Sequence, residues 1–293
     1  MIDQFYERIQ VNGVHIGVIQ YGTAVQDAPV LVLLHGFTGS AAGWGMLLED
    51  LATPGRRIIT LDMLGHGQSD APDDPQRYCM EHCEADIIGV LQTLGIKQGE
   101  AILLGYSMGG RIALYCAFSR YFRALILESA SPGLANPVER GKRRVSDRAL
   151  ADRIEREGIE AFVNDWEELP LFASQHNLPI AYRRAQHVQR LDNRAHGLAN
   201  SLRGVGIGVQ PVLEWRLRTL TIPVLLITGE LDSKFCIISQ HMAWQLPKAQ
   251  HQIVPDAGHT VHLEQPELFV TLVHDFCTTN YQRRNTWQSN GKE

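Results

Sequence analysis

A chain of 293 residues with 44% hydrophobic and 20% charged side chains can bury a sizeable core, which excludes a disordered segment. Its formal charge of −5 excludes general nucleic-acid affinity. No run of about 18 apolar residues is present to span a bilayer. The opening MIDQFYERIQVNG has neither a signal-peptide core nor a transit-peptide bias, so a cytoplasmic protein without stable membrane insertion is expected.

In chain order, VNGVHIGVIQYG (11–22) alternates and turns like an antiparallel hairpin. PVLVLLHG (29–36) is a continuous apolar run, as expected of a strand buried on both faces. RRIITLDMLGHG (56–67) repeats that pattern, a helical stretch follows around 80–95, and EAILLGYS (100–107) is a further strand ending on Ser107. RALILESA (123–130), IPVLLITGELD (222–232) and HQIVPDAGH (251–259) complete the series. Strands alternating with helices give an α/β class with a mostly parallel central sheet and helices on both faces.

Between Ser131 and about Arg218 the apolar runs stop and charged, helix-favouring sequence takes over, with Ser146 or Asp147 available to cap a first helix. Residues 1–130 and 219–293 are therefore read as the core and 131–218 as a helical lid over the carboxyl edge of the sheet. The basic run RGKRRVSDRALADRIER (140–156) reads as a solvated helix face, the glycine-rich GVGIGVQP (204–211) follows no strand, and the polar tail TTNYQRRNTWQSNGKE reads as frayed. Five scattered cysteines suit reduced thiols. Cys79 and Cys83, with His82 between them, lack a second ligand pair, so neither metal nor cofactor is expected.

LLGYSMGGRIAL (103–114) has the pattern of a nucleophile elbow, with glycines where a strand turns sharply into a helix beneath an exposed hydroxyl. A serine hydroxyl needs an imidazole to take its proton and an acid to orient that imidazole. The order Ser, acid, His is met by Ser107, Asp232 in GELDSKF and His259 in PDAGHTVHLEQP. Glu230 and Asp256 are competing acids and His262 a competing base. Two backbone donors, Met108 after the nucleophile and Phe37 in LLHGFTGSAAGW, are the expected oxyanion hole, while His35 and His66 read as structural.

These motifs resemble the α/β-hydrolase superfamily. HGFTGS, GYSMGGR, ESASPGL, ERGKRRVSD, DWEELPLFAS, GLANSLRGVGIGVQP and GELDSKF, in this order from about residue 30 to 265, look like the 2-succinyl-6-hydroxy-2,4-cyclohexadiene-1-carboxylate synthase family of menaquinone and phylloquinone biosynthesis. The resemblance implies elimination of pyruvate from an enolpyruvyl cyclohexene, without added water. Ser107, activated by His259 and Asp232, would then act as base on the proton α to the succinyl ketone. It implies a small-molecule tricarboxylate as partner. Arg111, one helical turn beyond Ser107, suits one carboxylate; the resemblance adds Arg143, Arg190 with Arg184 as rival, Tyr106 and Trp166. A hydrolase of esters or carbon–carbon bonds, and a ligand-sensing protein of the same fold, are the competing readings.

Overall fold

A computed structural model describes residues 4–23, 28–52 and 55–289, with 281–289 by backbone alone. Eight strands, β1 (Gln4–Val11), β2 (Val14–Tyr21), β3 (Val30–Leu34), β4 (Ile58–Leu61), β5 (Ala101–Tyr106), β6 (Ala124–Glu128), β7 (Val224–Gly229) and β8 (Ala249–Val254), form one sheet in the order β1-β2-β4-β3-β5-β6-β7-β8. The β1–β2 hairpin turns at Asn12 and Gly13, both at positive φ, and β2 runs antiparallel to β4. From β4 to β8 every pairing is parallel.

The apolar runs read as strands because both sheet faces are covered. On β3, Val30, Val32 and Leu34 join one core and Leu31 and Leu33 the other; β5, β6 and β7 alternate in the same way. One face packs α2 (Met80–Thr93), α3 (Met108–Ala117) and α8 (Ser233–Gln245). The opposite face packs α1 (Leu48–Ala52), α9 (Val261–Glu264) and the first turns of α10 (Pro266–Ser289). The polar tail differs from expectation, since α10 continues as helix to Ser289; the final four residues lie outside the described part.

Between β6 and β7 the chain leaves the sheet as α4 (Pro137–Glu157), α5 (Ile159–Glu167), α6 (Ile180–Leu191) and α7 (Ala195–Val205). The first of these starts nine residues earlier than Ser146. Asn136 caps it by accepting from the N–H of Val138 at 2.9 Å and of Glu139 at 3.2 Å, with Pro137 fitting the first helical position. Ser146 is exposed in mid-helix, and Asp147 is buried, accepting from Gly208 N–H at 3.2 Å and from Arg143 at 2.6 Å. The basic run is a solvated face because only Asp147, Ala151 and Ile154 of this helix are buried. Ala151 and Ile154 pack with Phe162, Val163, Leu198, Ala199 and Leu202 into a small separate core, where each large side chain contributes about 2 kcal/mol.

The parallel strands end together at their carboxyl edge, where an open α/β sheet binds ligands. There a Cβ on Gly109 would lie 2.3 Å from the Leu34 carbonyl oxygen, and one on Gly105 would lie 2.3 Å from the Gly109 carbonyl oxygen. Neither obstacle is a movable side chain. Gly109→Ala is expected to cost at least about 3 kcal/mol and to lower the thermal midpoint measured by circular dichroism, or to abolish folding; an unchanged midpoint would show that β3 and α3 approach less closely than this.

Candidate active site

Ser107 sits between β5 and α3 at φ 51° and ψ −106°, a conformation costly for a residue with a Cβ. Its N–H donates to the Glu128 carbonyl at 2.9 Å, and its own carbonyl accepts from Arg111 N–H at 3.0 Å. The turn thereby lifts the hydroxyl to the mouth of the sheet. Asp232 follows β7 and His259 follows β8, so three separate strand ends converge. His259 Nδ1 lies 2.6 Å from Asp232 Oδ2, and His259 Nε2 lies 3.0 Å from Ser107 Oγ. A carboxylate oxygen only accepts, so the proton belongs on Nδ1 and Nε2 is left to accept from the serine hydroxyl. Imidazole and carboxylate are 2% and 7% exposed, which strengthens their attraction.

The competing acids and base stand elsewhere. Glu230 and Asp256 are exposed, and the two ring nitrogens of His259 are taken by Asp232 and Ser107. His262 is bound through its Nδ1 and its backbone N–H to the fully buried Glu128 carboxylate. The loop carrying His259 is held by Glu264, whose carboxylate accepts from the N–H groups on either side of it, Gly258 at 2.7 Å and Thr260 at 3.2 Å. Tyr106 braces the same loop through Thr260, with hydroxyl oxygens 2.7 Å apart; burial pushes its phenol pKa up.

Met108 is the first residue of α3, so its N–H has no partner within the helix, and it lines a cavity of about 170 Å³ together with Ser107, Phe37 and His259. His35 Nε2 accepts from Met63 N–H at 2.9 Å and its Nδ1 donates to the Gly36 carbonyl at 2.8 Å, pinning the Phe37 segment to the loop after β4. Next to it is His66, 4.9 Å away between ring centres.

Arg111, Arg143, Tyr106 and Trp166 line the same cavity as Ser107. Arg111 donates to the Val205 carbonyl at 2.7 Å and to Gln210 Oε1 at 2.9 Å, both neutral partners. Burial, then repulsion from Arg143, pushes its pKa down to about 10. Arg143 keeps Asp147 as a partner through Nε. Three buried polar atoms on the cavity wall, the hydroxyls of Ser129 and Ser131 and the indole nitrogen of Trp166, have no hydrogen-bond partner among the described residues. Phe172 and Trp166, from the segment between β6 and β7, form the opposite wall, Trp166 edge-on to Phe37 at 5.3 Å.

A family model for the alpha/beta hydrolase fold matches residues 29–266. A Bacillus subtilis (strain 168) protein provisionally named 2-succinyl-6-hydroxy-2,4-cyclohexadiene-1-carboxylate synthase is 46% identical over 92% of this chain and 96% of its own. A Serratia proteamaculans (strain 568) synthase of that name is 34% identical over 88% and 96%. The chain belongs to the α/β-hydrolase fold family, in its 2-succinyl-6-hydroxy-2,4-cyclohexadiene-1-carboxylate synthase group. Among solved structures, MenH from S. aureus superposes with a TM-score of 0.85 at 35% identity, covering 90% of this chain and 98% of its own. A malate-bound esterase from Thermogutta terrifontis, at 24% identity and TM-score 0.77 over 95% and 99%, shares the fold.

Within this α/β hydrolase two cations stand differently from the sequence reading. Arg190 is not on the Ser107 cavity; its Nη1 donates to Glu167 at 2.7 Å, its guanidinium lies 5.6 Å from the Phe172 ring centre, and it lines a neighbouring cavity. Arg184 is exposed and lines neither cavity. In its place on the Ser107 cavity is Lys234, with no acidic partner among the described residues and its Nζ 5.7 Å from the Phe235 ring centre. The signal for Lys234 was its place two residues after Asp232, in the first turn of α8, which turns it towards the same opening.

Burial pushes the pKa of His35 and of His66 down, and His66 falls further through repulsion from His35. Folded-state values below the ordinary 6.5 mean that the unfolded chain takes up protons first as pH falls. The stability from these two neutral imidazoles is complete above pH 6.5 and declines below it. The urea midpoint should drop between about pH 7.5 and about pH 5.5 while the ring-proton resonances of both residues stay fixed; titrating resonances would refute their neutral burial.

Proposed function

We propose that this protein is a lyase that eliminates pyruvate from 2-succinyl-5-enolpyruvyl-6-hydroxy-3-cyclohexene-1-carboxylate, giving 2-succinyl-6-hydroxy-2,4-cyclohexadiene-1-carboxylate. The observation that carries this reading is Arg111. A guanidinium drawn out of water beside a serine, with only neutral partners, costs several kcal/mol unless a bound anion completes it. Arg143 and Lys234 on the same wall make the cavity suited to a polyanionic ligand, and an apolar ester would leave all three without use.

In this mechanism Ser107, His259 and Asp232 form a catalytic triad in which serine is the base. His259, oriented by Asp232, accepts the hydroxyl proton as Ser107 Oγ takes the proton from C2, α to the succinyl ketone. Negative charge moves to the ketone oxygen, where the N–H groups of Phe37 and Met108 act as the oxyanion hole. The C2–H electron pair becomes C2=C3, the C3=C4 pair shifts to C4=C5, and the C5–O bond breaks with its electrons on the enolpyruvate oxygen. That oxygen takes up the proton and the enol tautomerises to pyruvate, so no water is consumed. Residues 131–218 serve as the lid, and Phe172 and Trp166 shield the carbanion from water.

The test is pyruvate release by the purified protein, with Ser107→Ala alongside and a simple aryl ester as a second substrate. Release should fall by at least about a thousandfold in Ser107→Ala. Brisk ester turnover without pyruvate release would make this a hydrolase. Arg143→Ala should raise KM for the cyclohexene at least about tenfold with kcat little changed, a loss of binding shared by ground and transition states; unchanged kinetics would remove Arg143 from the site.

A further inference from the structure

Of the two backbone donors that the proposed mechanism requires, only Met108 N–H is held by a regular element, the first turn of α3. Phe37 lies between the end of β3 at Leu34 and the helical turn that begins at Ala41, so contacts from elsewhere must set its direction. Its N–H has no hydrogen-bond partner among the described residues. The carbonyl of the same peptide unit, on Gly36, accepts from His35 Nδ1 at 2.8 Å and from Gly39 N–H at 3.0 Å. In a planar trans peptide the N–H points opposite to the carbonyl, so whatever holds this turn aims Phe37 N–H.

The turn from Gly36 to Gly39 is strained. Thr38, its second central residue, is at φ 70°, a left-handed conformation that suits glycine and is an outlier for a β-branched side chain. Asn193, 4% exposed in the joint between α6 and α7, opposes that strain. Its Nδ2 donates to the Thr38 carbonyl at 2.8 Å and to the Arg190 carbonyl at 3.2 Å, and its Oδ1 accepts from Gly67 N–H at 3.1 Å. Two carbonyls at the nitrogen and one N–H at the oxygen fix which way the amide is turned. One side chain from the helical segment between β6 and β7 thus ties the loop after β3 to the loop after β4. Beside it, Arg194 donates to the Ser69 carbonyl.

We propose that Asn193 is a positioning residue for the oxyanion hole: by binding the Thr38 carbonyl it keeps the strained turn in the conformation that presents Phe37 N–H to the Ser107 cavity. Asn193 does not line that cavity, so it acts through the turn alone. A displacement of about 1 Å is enough to cost a preorganised donor most of its effect on a developing oxyanion. The helices between β6 and β7 therefore contribute to catalysis through this joint as well as through the side chains that face the cavity. The inference rests on the reading of Phe37 and Met108 as the oxyanion hole, which a hydrolase of this fold would share.

The probe is 3-carboxyphenylboronic acid, whose boron takes an electron pair from Ser107 Oγ while the serine proton passes to His259, leaving a boron-bound oxygen in the hole. Isophthalate, with a carboxylate in place of the boronic acid, reads the cationic wall alone. Asn193→Asp keeps the side chain's size and its acceptor for Gly67 but cannot donate to Thr38. It should weaken the tetrahedral adduct, followed by its ¹¹B resonance, at least about tenfold, with isophthalate affinity changed less than about twofold. The kcat for pyruvate release should fall likewise, with KM little changed. Asn193→Ala combined with Thr38→Gly should regain most of the boronate affinity, because glycine takes φ 70° without strain and the turn then needs no tether. Arg194→Gln, which cuts the neighbouring bond to Ser69 and leaves the turn alone, should lower the thermal midpoint without changing either affinity. Unchanged boronate binding in Asn193→Asp, or an equal loss in Arg194→Gln, would overturn the proposal and make this joint a structural dock. No adduct with the unaltered protein would remove the oxyanion hole itself. Adduct formation needs no elimination, so failure of the lyase reading leaves this test standing.

Discussion

The close backbone approach under Ser107 is the constraint on which the rest of the site depends. With no Cβ at Gly105 or Gly109, the end of β5, the start of α3 and the carbonyl of Leu34 come within contact of one another. Only then does the chain reverse in one residue, with Ser107 held at φ 51°. The reversal does two things at once: it raises a hydroxyl above the sheet and points the first amide of α3 at the same space. Asp232 and His259 reach that space because β7 and β8 run parallel to β5 and extend two residues beyond the level of its end. A strained residue of this kind persists because the strands flanking β5, β3 and β6, are fully buried and leave the chain no alternative path.

Charge is distributed around this point with a clear division. Carboxylates hold the histidine loop: Asp232 on the imidazole, Glu264 on the amides flanking it, and Glu128 on the next turn. Cations without carboxylate partners face the cavity: Arg111, bound only to a carbonyl and an amide, and Lys234. Arg203, on α7, instead bonds Asp152 and Glu155, which push its pKa up. Arg111 differs from Arg203 in that its hydrogen-bond partners are neutral, a carbonyl and an amide, where those of Arg203 are carboxylates.

The strands were legible because burial on both faces leaves continuous apolar runs that no amphipathic helix has, as in Val30–Leu34 and Val224–Gly229. The elbow, the acid and the histidine were legible because their chemistry is tied to strand ends. The start of α4 was not. Ser146 and Asp147 are good capping residues by type, but Asn136 caps ten residues before Ser146, and Asp147 serves inside to tie down Gly208 and Arg143. The C-terminal helix was missed because its last turns are polar all round and have no apolar stripe to announce them.

Local sequence by itself determined the α/β alternation, the glycine-lined turn and the identity and order of Ser107, Asp232 and His259, because each depends on neighbours within a few residues. Which cations share a cavity was decided only by the tertiary structure. Arg190 and Lys234 are equally basic in sequence, yet α6 directs one toward Glu167 and Phe172 while the first turn of α8 brings the other beside Ser107. The difference lies in how the helices between β6 and β7 are docked, through contacts such as Asn193 to the Thr38 carbonyl, 155 positions apart, and such contacts leave no periodicity in the chain to be read.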